Sequence, residues 1–397
     1  MTLQNKFIAL ETSLNSEVLE RQEEVHTAIL ALVSKRHHFQ FGPPGTAKSF
    51  LVSRLADKIG DLPADGYFRY LLSQFTTPAE LYGPPNINEL KEKGIFHLNT
   101  EGKLPRAHIA FLDEIFRGNS SILNANLTIM NEREFYNHTD DPAIPLISLF
   151  SAANEIPMDE NLAALWDRLH FRHVVQPLQE ASSFGKMFKG SGVFSDEKFI
   201  TLADIHAAQA EASKLPISET TMKAIFAIKR EISKGKELLA PTERRWMDCR
   251  AIIQAEAWMN GETEVTPLSL LPLQHVLWQE ASQQSQIATI ILDASDPLEK
   301  EAQILLSDVR KLLAEIQSHL KEGIDMQQKA HLAVECVNKL DKMKVTRKNL
   351  EAKASNHSGS SSSKTFGKIS SAMDDVVKLI SRKIMDLQLE SGSDDDL

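Results

Sequence analysis

The sequence predicts an α/β domain with a parallel sheet flanked by helices, followed by an all-helical lid and a helical C-terminal arm. Three observations carry this expectation. Short apolar strand-like runs alternate with helical segments as far as Val175, strand signals vanish from Glu180 to Ser282, and residues 291–389 show amphipathic helical spacing. Strands that alternate with helices form parallel sheets, because a parallel connection needs a crossover and a helix supplies it. The expected boundaries are 1–179 for the sheet domain, 180–290 for the lid and 291–389 for the arm. The arm contains a flexible linker at 356–364, and 390–397 form an acidic tail.

Taken in order, the first 36 residues read as helical, with Leu19, Val25, Ile29, Leu32 and Val33 at near-helical intervals. A short strand at His38–Phe41 runs into a Gly/Pro-rich turn and a helical run from Ser49 to Ile59. Further strands are expected at Tyr67–Leu72, Ile109–Leu112, Leu146–Ala152 and His173–Val175, and the alternation in Gly94–Gly102 suggests a hairpin. In the lid, Phe226, Trp246, Trp258 and Met259 fall at helical spacings and read as core. In the arm, Leu305, Val309, Leu312, Ile316 and Leu320 form one apolar stripe, which Gly323 interrupts before a second helical run toward Met343. The Ser-rich stretch 356–364 has linker composition, and a last helix carries Ile369, Met373, Val376, Ile380, Ile384 and Leu387 on one side. That tethered stripe must bury itself in an intrachain bundle or against a partner, and the tether favours the partner.

Composition narrows the class. Of 397 residues, 42% are hydrophobic and 25% charged, as in ordinary globular proteins. No apolar run reaches the length of a membrane span, and the acidic N-terminal segment does not resemble a signal peptide, so a cytoplasmic location is expected. The net charge of -10 argues against general binding to nucleic acid phosphates. Cys249 and Cys336 lack partners at zinc spacing and read as reduced thiols. His37 and His38 read as a satisfied pair at a strand edge, not as metal ligands.

The chemistry is concentrated in three segments. Gly42, Pro43, Pro44, Gly45, Thr46, Ala47, Lys48 and Ser49 lie between a strand and a helix. A Gly-rich turn there lets backbone N–H groups converge on a phosphate chain, and the helix N-terminus favours the same anion. Lys48 would reach the β- and γ-phosphates of ATP, and the Ser49 hydroxyl would hold Mg²⁺. Ala47 stands where the strict pattern has Gly, which a right-handed backbone at that residue would allow. The strand Ile109–Leu112 ends in Asp113, suited to the Mg²⁺ shell, and Glu114, suited to polarising the attacking water. The strand that begins at Leu146 ends in Asn154, whose amide could bond the γ-phosphate and the lytic water.

These segments, with Phe75–Pro84, Asn131–Phe135, Ala152–Pro157, Ala164–Leu169 and Thr242–Trp246, resemble the MoxR group of AAA+ ATPases, and most of all its RavA branch. The resemblance runs from Glu17 to Gly261 and implies an AAA+ P-loop fold and a hexameric ring with ATP at each subunit interface. It implies that Arg168 is the arginine finger, with Arg172 as second candidate, and that Arg244, or else Arg245, is the sensor arginine tying lid to nucleotide. Val18–Gln22 would begin the helix that packs on adenine, so Leu19 and Phe50 join the nucleotide-contacting set. The expected function is ATP hydrolysis that remodels or matures a protein client, with a partner carrying a von Willebrand factor A domain. The alternatives are an ATP-gated assembly scaffold and an ATPase subunit of a nucleic-acid-linked complex.

Overall fold

Five strands form the sheet: β1 His37–Phe41, β2 Tyr67–Leu71, β3 Ile109–Asp113, β4 Ser148–Ala153 and β5 Leu169–Val174. Every pairing is parallel and the order is β2-β3-β4-β1-β5. The structure is a computed structural model describing residues 1–137, 142–155, 162–190, 194–235, 238–322, 326–355 and 362–381. It divides into two compact units, 1–288 and 289–397.

In the first unit, α1 Leu3–Glu17 and α2 Gln22–Ser34 precede β1, and α3 Lys48–Asp57 follows it. Then come α4 Pro78–Tyr82, α5 Ile87–Lys93, α6 Ser120–Glu132 and α7 Ala163–Arg168. Alternation along the strands sends successive side chains to opposite faces. Phe39, Ala110, Leu112, Leu149 and Ala153 share a core with Leu81, Ile122, Ile129 and Leu165, so α4, α6 and α7 cover one face. The other face meets α2, which packs on β1 and β5, and α3, which packs on β3 and β4. A sheet covered on both faces explains why its strands read as continuous apolar runs.

Beyond β5 lie α8 Ala181–Phe188, α9 Leu202–Ala212, α10 Glu219–Lys234 and α11 Glu243–Met259. A 3-10 stretch, Pro267–His275, precedes α12 Gln284–Ser295. Among the described residues from 180 to 282 there is no strand. Ile252, Ile253, Ala257 and Trp258 of α11 are buried, and α11 packs against α2 and α9. No helix among the described residues is long and apolar enough to cross a membrane.

In the first unit four expectations about elements and burial need correction. The first helix is broken: Val18–Arg21 form a turn in which Glu20 has φ 55°, so Leu19 sits between α1 and α2 and not on a helix. Residues 94–102 are not a hairpin. Instead Pro85 bridges Leu98, with Asn86 N–H donating to His97 O and Asn99 N–H to Pro84 O, which closes the chain around α5. Phe226 is 62% exposed on α10 and is not lid core, whereas Trp258 and Met259 are buried. His37 and His38 belong to β1, which is interior to the sheet, and both are buried.

In the second unit, α13 Pro297–Glu322, α14 Met326–Ser355 and α15 Ser362–Leu379 share a core. Leu305, Val309, Leu312 and Ile316 of α13 meet Ile369, Met373 and Val376 of α15 and Leu340 of α14. The last helix therefore buries its stripe inside the chain, against the expectation of a free docking arm. It also begins at Ser362, inside the stretch expected as linker. Linker residues 356–361, Gly323, Ile384, Leu387 and the tail 390–397 lie outside the described residues.

The interior of the first unit holds a histidine cluster with consequences for stability. His38 stacks on His173 at 5.1 Å, and His173 stacks on His275 at 4.2 Å. The Thr27 hydroxyl lies 3.1 Å from His38 Nε2 and 2.7 Å from His173 Nε2. Burial lowers the pKa of His38 and His275 to about 3 and that of His170 to about 4, and takes His37 and His173 well below the usual value. These groups stay neutral in the fold, while the unfolded chain protonates its histidines below pH 6.5. Each one therefore removes stability as pH falls from about 6.5 toward its folded value, at up to about 1.4 kcal/mol per pH unit. His26 runs the other way. Burial opposes its charge, but Glu256 and Glu11 overcome this and raise it to about 10, so its contribution is lost as pH rises from 6.5. The denaturation midpoint should fall steeply between about pH 6.5 and 5. A midpoint that is unchanged or higher at pH 5 contradicts the neutral cluster.

Candidate nucleotide site

The sheet order decides what meets at its carboxyl edge. Because β4 lies between β1 and β3, Asn154 emerges between the loop that follows β1 and the two carboxylates that end β3. The contacts follow. Lys48 Nζ donates to Asn154 Oδ1 at 3.1 Å, and Asn154 Nδ2 donates to Glu114 Oε1 at 2.5 Å. Lys48 also donates to the carbonyls of Gly42 at 2.7 Å and Pro43 at 2.9 Å. Burial depresses the Lys48 pKa, and the nearby carboxylates of Asp113 and Glu114 oppose that shift.

The loop is shaped for close backbone approach. A Cβ on Gly42 would fall 2.2 Å from the Val175 carbonyl, so only glycine fits against the end of β5. Pro43, Pro44 and Gly45 are exposed, whereas Thr46 is buried with its hydroxyl donating to Pro43 O at 2.9 Å. Ala47 has φ 64° and ψ 23°, left-handed, so the right-handed backbone that would make alanine tolerable there is not adopted, and it caps α3. An alanine in that region is strained relative to glycine. Phe50 packs edge-on against Phe194, with ring centroids 5.6 Å apart.

At the end of β3, Glu114 has φ 52°, and its backbone N–H donates to Asp113 Oδ1 at 3.1 Å. Its second carboxylate oxygen lies 3.4 Å from Arg117 Nε. Among the described residues no group of three or more His, Cys, Asp or Glu could hold a metal by itself. One carboxylate, Asp113, and one hydroxyl, Ser49, are hard oxygen donors. They suit Mg²⁺, which takes few protein ligands and keeps waters and substrate phosphates as the rest.

Burial separates the arginine candidates. Arg172 is fully buried in β5, its guanidinium 4.0 Å from the Trp166 ring. It donates to the carbonyls of Leu169 at 2.9 Å, Trp166 at 2.6 Å and Trp278. Arg245 is equally buried and donates to the carbonyls of His170, Val276, Trp166, Asp167 and Leu169. Both guanidiniums are enclosed and spent on backbone carbonyls of their own chain. Arg245 instead fastens α11 to the chain around β5. Arg245→Ala should cost roughly 3–5 kcal/mol of stability, because its carbonyls and the Asp167 carboxylate 3.5 Å from its Nε lose their partner. A denaturation midpoint equal to that of the parent contradicts this role.

Arg168 and Arg244 remain. Arg168 closes α7, bonds Ala164 O at 3.1 Å and lies 3.8 Å from Asp167. Arg244 is exposed on α11. Burial lowers the Arg168 pKa, and the charge of Arg244 lowers it further. The Asp167 carboxylate beside Arg168 is also engaged by Thr242 and Arg245.

A nucleotide loop, an acidic strand end, an intervening asparagine and a helical lid together define the AAA+ class of P-loop fold. The chain belongs to the family of MoxR domains found in MoxR–vWA–β-propeller ternary systems, whose pattern matches residues 5–212, and an AAA lid domain matches residues 220–291. Two uncharacterised proteins of Methanocaldococcus jannaschii are similar, each 34% identical. One aligns over 87% of this chain and 91% of its own length, the other over 80% and 81%. A structural protein of Acidianus two-tailed virus is 29% identical over 43% of this chain and 28% of its own. A crystal structure from Cytophaga hutchinsonii, provisionally named an ATPase, superposes with a TM-score of 0.58 at 20% identity. It covers 74% of this chain and 94% of its own, and shares the fold.

Proposed function

We propose that the chain hydrolyses ATP at the Lys48–Asn154–Glu114 constellation, in a ring whose neighbouring subunit completes each site, and uses the cycle to remodel a protein client. The observation that carries this reading is the single asparagine joining the phosphate-loop lysine to the strand-end glutamate. Lys48 would pair with the β- and γ-phosphates, and Ser49 and Asp113 would hold Mg²⁺, which supplies neutralising charge across those phosphates when bound. The Asn154 amide can donate to Glu114 or to a γ-phosphate oxygen. A γ-phosphate that recruits it frees the Glu114 carboxylate to accept a proton from the attacking water. Leu19 and the turn around it would contact the base.

Arg168, at the end of α7, would enter the neighbour's site. Arg244, exposed on α11, would keep the within-chain role that the resemblance implies, tying the lid to the bound nucleotide. The ternary systems that define the family support a von Willebrand factor A domain partner, and the motif set at 42–49, 75–84 and 164–169 supports a place near the RavA branch. A second reading, an ATP-gated scaffold, draws support from the viral structural protein among the relatives. Phosphate release per subunit, measured with and without such a partner, separates the two. Steady, Mg²⁺-dependent turnover that the partner alters supports the hydrolase, whereas tight ATP binding with no turnover in either condition supports the scaffold.

A further inference from the structure

The strained alanine in the phosphate loop is held from behind by an arginine in the turn between α1 and α2. Arg21 is 7% exposed, in the turn between α1 and α2. Its Nη2 donates to the carbonyl of Gln176 at 2.5 Å and, through a longer bond of 3.4 Å, to the carbonyl of Thr46. Its Nη1 donates to the Glu20 carbonyl at 2.7 Å. The Glu20 carboxylate accepts the backbone N–H groups of Gln179 at 2.7 Å and Glu180 at 3.0 Å, so the arginine stands on a fixed base.

The Thr46 carbonyl and the Ala47 N–H belong to one planar trans peptide and point in opposite directions. A donor that grips the carbonyl from the buried side therefore aims the N–H outward, toward the phosphates. The same peptide leads into Ala47, whose left-handed φ of 64° an alanine adopts at a cost that glycine does not meet. Gln176 directly follows Val175, the residue against which Gly42 packs, so Arg21 ties the far part of the loop to the strand exit that already braces its start.

We propose that Arg21 is a positioning residue for the nucleotide, holding the Thr46–Ala47 peptide with its N–H toward the phosphates and thereby sustaining the left-handed Ala47. The inference rests on the nucleotide reading above and gives Arg21 a role toward the phosphates that the reading does not assign. Its signature is coupling. Without Arg21 the peptide relaxes away from the strained conformation, and removing the strain by Ala47→Gly makes the clamp dispensable.

The test uses the full chain as parent, Arg21→Ala, Ala47→Gly and the double variant. Equilibrium binding of a fluorescent ATP analogue is measured beside KM, kcat and the denaturation midpoint. Arg21→Ala should weaken binding and raise KM by roughly tenfold, with kcat at saturation changed by less than about threefold, and Ala47→Gly should restore most of the affinity in the double variant. A merely structural arginine would lower the midpoint without such restoration. If Arg21→Ala does not fold, Arg21→Lys serves, since a single ammonium does not span both carbonyls and should show the same raised KM and the same rescue. Unchanged affinity in the arginine variants, or a loss that Ala47→Gly leaves uncorrected, overturns the proposal. A folded parent that fails to bind the analogue at all overturns the nucleotide reading, and this inference with it, before any variant is compared.

Discussion

Glu114→Gln should load ATP and then stall, losing roughly 10²–10⁴ in turnover, the range set by removing a positioned general base. The substitution keeps the shape and an acceptor for Asn154, so the loop and Lys48 keep their arrangement and binding survives. Lys48→Ala should fail earlier. It removes the side-chain cation that bonds Asn154 and the Gly42 and Pro43 carbonyls, so tight binding itself should disappear. Binding of labelled ATP and single-turnover phosphate release, run on both variants, separate the two failures. Parent-like turnover by Glu114→Gln would show that another group polarises the water.

Arg168→Ala should cost about 10³-fold or more in hydrolysis while leaving the ATP affinity of an isolated subunit nearly intact, because an arginine supplied from a neighbour acts chiefly on the transition state. Mixing gives the decisive form of this experiment. An Arg168→Ala subunit keeps its own Glu114, and a Glu114→Gln neighbour keeps its Arg168, so some mixed interfaces are complete and activity should partly return. Co-assembled mixtures that stay inactive would rule out supply from the neighbour. Arg172→Ala offers a useful contrast: its guanidinium is enclosed by Trp166 and Trp278, so it should lower stability with no recovery on mixing.

Much of this was legible in the chain. Apolar runs such as Ile109–Leu112 and Ser148–Ala153 announce a sheet buried on both faces, and residues ending those runs fall at the carboxyl edge of a parallel sheet. That is why Asp113, Glu114 and Asn154 could be picked out together. Other features depend on partners remote in sequence. Nothing near Arg172 or Arg245 distinguishes them from Arg168 and Arg244. What buries Arg172 and Arg245 is Trp166, Trp278 and the carbonyls around β5, which only the folded chain assembles. The same holds for Ala47, whose backbone the sequence left open and whose left-handed conformation is met from behind by Arg21, far back in the chain. The last helix shows the complementary limit: its stripe could be seen, but its destination against α13 could not.

The central claim is ATP hydrolysis at a site that one subunit leaves incomplete. Specific activity measured across a dilution series, beside the assembly state at each concentration, tests it most directly. Phosphate release per subunit should rise with assembly, fall toward zero in the dissociated chain, and be absent throughout in Lys48→Ala. Turnover per subunit that stays constant into the fully monomeric range would contradict a site completed by a neighbour, and no turnover in the assembled parent with Mg²⁺ and ATP would contradict hydrolysis itself.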